Sequence, residues 1–159
     1  MHNENNLKQL SELLSNDKQK QKFSNVFVRA WNNFLMLEDL TLIVLKGHLL
    51  VEEQVRVMVY DRLLKPEELQ RFSFAQYLSL AKAMYELPEG ETWLWNAIAK
   101  LNQLRNAMAH ELTPGDIDKK IDMFCSAVPR NEEQMPEHSV KNCISTVWIS
   151  CTYFSIYKN

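Results

Sequence analysis

The stretch TWLWNAIAKLNQLRNAMAHEL, residues 92–112, decides the fold. Its apolar residues fall at Leu94, Ala97, Ile98, Leu101, Leu104, Met108 and Leu112, a spacing of three and four sustained over nearly six turns. Such a stripe buries one side of an α-helix and leaves the other to solvent. Neither glycine nor proline interrupts it, so the spacing predicts one helix from Thr92 to Leu112. A step of about 100° per residue places Asn102, Asn106 and His110 within about 80° of arc, with Arg105 about 60° to the other side of Asn102. An arginine, two amides and an imidazole are therefore presented along one polar face, with Arg105 at its border with the apolar stripe.

Outward from this helix, turn signals divide the chain into further helical segments. Upstream, Leu87-Pro88-Glu89-Gly90 is a break, and Ser73-Phe74-Ala75-Gln76 has the form of a capping box for a helix running to about Tyr85. Lys65-Pro66-Glu67-Glu68 puts a proline at a first helical position. The segment from about Glu38 to Leu64 carries no helix breaker but Gly47 and is apolar almost all round, as expected of a central helix. Leu7–Leu14 and Phe23–Leu35 show the same three-and-four spacing at shorter length.

Downstream, Thr113-Pro114-Gly115-Asp116 reads as a cap, with Pro114 first in a helix to about Ala127 and Asp116 closing a capping box. A polar loop from Pro129 to Pro136 leads to a last helix from about His138 to Phe154. Its β-branched residues, among them Val140, Ile144, Val147 and Ile149, keep a strand open as an alternative there.

Bulk properties agree with this division. At 159 residues with 46% hydrophobic residues and only three glycines, the chain has the profile of one helical domain. The expectation is an all-α, single-domain helical bundle of about five to seven helices spanning residues 1–159, with residues 1–6 flexible. The formal net charge of −2 gives no global attraction to nucleic acid or anionic membrane, so any RNA contact must come from a local patch. Cys125, Cys143 and Cys151 lie in apolar stretches without CxxC spacing and read as small hydrophobes. With a polar N-terminus and no apolar run near the ~20 residues of a membrane span, a cytoplasmic location without membrane contact is expected.

The polar face of residues 102–110 suits phosphodiester cleavage in RNA. A guanidinium matches the geometry of a phosphate, and an imidazole titrates near neutral pH and moves protons. RNA supplies its own nucleophile, the 2′-hydroxyl, so neither metal nor cofactor is required. The sequence also shows no HExxH pair or carboxylate cluster. The competing reading of Arg105, Asn106 and His110 is a solvated helix face, ended by a histidine that the helix dipole favours.

Here the sequence resembles the HEPN superfamily, helical bundles that carry an Arg-polar-x-x-x-His motif near the end of a long helix. The motif stands as Arg105-Asn106-Ala107-Met108-Ala109-His110. The stretches Leu45–Glu53 and Leu101–Asn106 also look like the two core helices of bacterial members. The resemblance implies an endoribonuclease that needs no metal and leaves a 2′,3′-cyclic phosphate, as the toxin of a toxin–antitoxin or defence system. In that reading His110 transfers protons, Arg105 holds the scissile phosphate and Asn106 orients it. It further implies a homodimer with two motifs facing one cleft, which gives transesterification both a base and an acid. Members paired with a nucleotidyltransferase antitoxin have a tyrosine two places after the histidine; this chain has Leu112. An antitoxin or other protein partner therefore stays open, as does a non-catalytic, RNA-binding or regulatory module of the same fold.

Glu52 and Arg56 lie one turn apart on the otherwise apolar stripe of Leu45, Leu49, Val59 and Leu63. They read either as a structural ion pair or, on the family resemblance, with Glu52 as a carboxylate behind Arg105. Asn102 accompanies them as a supporting residue. His48 reads as a core histidine, and Trp31, Trp93, Trp95 and Trp148 as core or interface aromatics.

Overall fold

The computed structural model describes residues 28–29, 31–110, 115–130 and 139–157. Five α-helices are described: α1 (Leu40–Tyr60), α2 (Phe74–Met84), α3 (Trp93–His110), α4 (Ile117–Ser126) and α5 (Val140–Tyr157). A π-helical turn at Trp31–Leu35 and a 3-10 turn at Pro66–Leu69 accompany them, and no strand occurs among the described residues. The architecture is all-α. The segment Leu7–Leu14 lies outside the described residues, as do residues 23–27 and 30 of Phe23–Leu35.

Helix α1 is the hub, packing on α5, α3 and α2. Asp39 starts it by accepting a hydrogen bond at Oδ1 from the Leu42 amide at 2.8 Å. Val44, Val51, Val55 and Met58 face inward with no exposed surface. The opposite side differs from the all-round burial that its composition suggests: Leu42 and Leu49, seven residues apart, are 44% and 57% exposed. Apolar content alone does not show how many neighbours a helix has.

Gly47 marks where α5 crosses α1. A Cβ there would meet Ile144 Cγ2 at 2.6 Å and Phe34 Cε2 at 3.0 Å, so the crossing requires a residue without a side chain. Opposite, α5 is a helix despite its β-branched content. Burial of Cys143, Ile144, Val147 and Cys151 against the other helices outweighs weak strand propensity. Two of its hydroxyls bond back one turn, Thr146 to the Asn142 carbonyl at 3.0 Å and Thr152 to the Trp148 carbonyl at 2.8 Å, which satisfies them inside an apolar helix.

The capping box at Ser73 forms with both reciprocal bonds, and Pro66 opens its 3-10 turn. Gly90, at φ 91°, supplies the left-handed residue that turns the chain into α3. The start of α4 differs from the expectation. Asp116 is the N-cap itself and makes no side-chain cap bond, so the helix begins at Ile117. All three cysteines are buried, and α4 and α5 bring the Cys125 and Cys143 thiols into a hydrogen bond.

Candidate functional site

The stripe of α3 is buried as its spacing demands: Leu94, Ala97, Ile98, Leu101 and Leu104 have no exposed surface. This anchoring fixes the rotation of the helix and hence the direction of its polar face. Asn106 and His110 are exposed and Arg105 is half-buried. Arg105 donates from Nη1 to Asn106 Oδ1 at 3.0 Å, so the guanidinium and the amide form one unit. His110 is the last residue of the described helix, one turn beyond Asn106. Among the described residues, no hydrogen bond or ion pair holds its imidazole.

On the side of α3 that packs against α1, a second polar group forms around His48, a residue that sequence alone assigns to the core. His48 is indeed buried, at 2% exposure, but it is no inert filler. Its Nε2 lies 3.1 Å from Asn102 Oδ1, which can only accept, so the bond places a hydrogen on Nε2. Its Nδ1 faces Glu52 Oε2 at 3.6 Å without a hydrogen bond. The ring also meets Phe74 edge-on at 4.7 Å. Burial pushes the imidazole below its ordinary value. The charge of Arg105 acts in the same direction, against the opposing pull of Glu52 and Asn102.

Glu52 is occupied elsewhere than expected. Its Oε1 accepts from Arg56 Nη2 at 2.6 Å and Nε at 3.1 Å, while its Oε2 faces His48. No ion pair joins it to Arg105. The i, i+4 placement on one helix lets Arg56 reach Glu52 without crossing to α3, and the local pair forms. Partial burial opposes the charge on Arg56, but the bond to Glu52 and its negative charge, with smaller contributions from Tyr60 and Tyr77, together outweigh it and raise the guanidinium above its ordinary value. Arg56 also lies 4.3 Å from the centre of the Tyr77 ring. Tyr77 in turn donates to the Leu69 carbonyl at 2.7 Å and meets the Tyr60 hydroxyl at 2.9 Å. The chain Asn102–His48–Glu52–Arg56–Tyr77 thus ties α3, α1 and α2 together.

The sequence-derived residues therefore fall into two sets. Arg105, Asn106 and His110 form an outward strip near the end of α3. Asn102, Glu52 and Arg56 belong to the inner group with His48. What marks His48 in the sequence is its position four residues before Glu52, the spacing that stacks two side chains on one helix face. Its cross-helix partner Asn102 carries no such local signal.

Among the described residues, no group of three or more histidine, cysteine, aspartate or glutamate side chains is placed to hold a metal ion. Among them, too, no helix is long and apolar enough to cross a membrane. Comparison with protein-family models, curated proteins and solved structures returns no match for the chain.

Proposed function

We propose that the chain is a metal-independent RNA endonuclease of HEPN type, acting in the cytoplasm as a homodimer and serving as a toxin or defence effector. The observation that carries this reading is the Arg105–Asn106 unit on the outward strip of α3, with the imidazole of His110 exposed one turn away. Arg105 contacts the scissile phosphate and stabilises the charge that builds on its oxygens. Asn106, held by Arg105, orients that phosphate. His110 transfers a proton at the 2′-hydroxyl or at the leaving 5′-oxygen, and a second copy of the chain supplies the other imidazole. Attack of the 2′-oxygen on phosphorus breaks the bond to the 5′-oxygen and leaves a 2′,3′-cyclic phosphate.

Incubation of the purified chain with mixed RNA in EDTA tests this. Discrete fragments ending in a 2′,3′-cyclic phosphate are expected, and RNA that stays intact while the chain remains folded rules the reading out.

Leu42 and Leu49 favour a second reading, since together they expose apolar surface on one face of α1. A non-catalytic binding module of the same fold would use that surface for a protein partner. It predicts intact RNA and a stable complex with that partner.

A further inference from the structure

A groove of about 400 Å³ opens between α3 and α4, lined by Gln103, Asn106, Ala107 and Lys120. On α3, Gln103 and Ala107 lie about 100° and 140° round from Asn102, in the direction away from Arg105. The groove thus lies about a quarter-turn round α3 from Asn102 and the His48 group, and shares Asn106 with the outward strip. It is a shallow depression open to solvent over most of its extent, a shape that suits one unit of an extended chain rather than an enclosed small molecule.

The lining is chemically selective. Ala107 is buried and has no side chain long enough to fill the space. Lys120 is half-buried, and among the described residues no hydrogen bond or ion pair holds its ammonium. This includes Asp116, one turn earlier on the same helix. An ammonium that no acidic side chain holds among the described residues leaves positive charge at the groove, so the groove suits an anion. Gln103 and Asn106 add amides that both donate and accept, as base edges and ribose hydroxyls require. A bare carboxylate has no use for the accepting half of that set, whereas a base edge or ribose hydroxyl uses both halves.

We propose that this groove holds one nucleotide of a single-stranded RNA next to the scissile bond, its phosphate on Lys120 and its base or ribose edge on Gln103. The inference rests on the ribonuclease reading for the course of the strand: from Lys120, past Asn106, the strand reaches Arg105 and His110. It adds Lys120 and Gln103 as substrate-binding residues that no motif marks.

The test is fluorescence anisotropy with a short 2′-O-methyl RNA, which binds but cannot be cleaved. Lys120→Met keeps the apolar stem and removes the charge. It should weaken binding about tenfold and flatten the plot of log K against log salt by about 0.7, the loss of one phosphate contact on a single strand. Lys120→Arg should restore most of the affinity, and Gln103→Ala should weaken binding without changing the salt slope. Unchanged affinity and slope in Lys120→Met overturns the proposal. Displacement of the probe by inorganic phosphate as readily as by unlabelled RNA also overturns it, because the groove is then a bare anion site. A parent chain that binds polyglutamate but no RNA does the same. Because the probe is uncleavable, a failure of the ribonuclease reading leaves this measurement standing on its own.

Discussion

Toward α1, the polar groups of α3 are used up. Asn102 is bonded to His48, His48 faces Glu52, and Glu52 is held by Arg56. Toward the helix end and α4, groups are left over: His110 on α3 and Lys120 on α4 have no partner among the described residues, and Arg105 and Asn106 bond to each other. Both flanks belong to one helix with one buried stripe, so the difference does not come from the helix itself. It comes from what packs alongside: α1 brings His48 and Glu52, whereas α4 brings Lys120 to the groove edge. A flank whose groups hold one another, here all but the His48 Nδ1, contributes to stability, and a flank whose groups are left over is available to a ligand.

If this division is right, substitutions on the inner flank should act on stability. His48→Ala removes the bond to Asn102, leaves a cavity beside Phe74 and takes an imidazole from Glu52. A loss of about 2–4 kcal/mol is expected in urea unfolding, and a loss under about 1 kcal/mol would break the comparison. Gly47→Ala forces Ile144 or Phe34 to move where α1 and α5 cross. Overpacking of about 1–3 kcal/mol there, less about 1 kcal/mol gained from helix propensity, should leave a net loss near 1 kcal/mol.

A titration sharpens the comparison further. The His48 imidazole is held below its ordinary value in the folded chain, so the unfolded chain binds the proton more readily. The stability due to its neutral form is present above about pH 6.5 and is lost as the pH falls below that value. Between pH 7.5 and 5.5 the parent should lose up to about 1.4 kcal/mol that His48→Asn does not lose, measured by urea unfolding at each pH. Equal pH dependence in both proteins would mean that His48 is not held neutral. On the outer flank, Arg105→Ala and Asn106→Ala should each change stability by no more than about 0.5 kcal/mol.

How much of this the sequence discloses differs between the flanks for a physical reason. Helical spacing reports which residues share a face, and the buried stripe of α3, the Ser73 capping box and the Pro66 turn follow from local signals alone. The outward strip is likewise local, because Arg105, Asn106 and His110 lie within two turns. The inner flank depends on which helix comes to lie beside α3, and local spacing does not contain that. Glu52 was open to two readings for this reason, and the nearby Arg56 won the carboxylate over the more distant Arg105. Lys120 stood as one lysine among several until α4 was placed against Gln103 and Ala107. The exposure of Leu49 also depends on tertiary packing, since it reports a face of α1 that no described helix covers.

The central claim is that the outer strip carries chemistry while the inner flank carries structure. The most direct test is the single-turnover cleavage rate of an RNA in EDTA by the parent and by His110→Ala, with melting midpoints recorded beside it. The account predicts a rate lower by about 10²–10⁴ in His110→Ala with an unchanged midpoint. Cleavage at the parent rate in His110→Ala would contradict it.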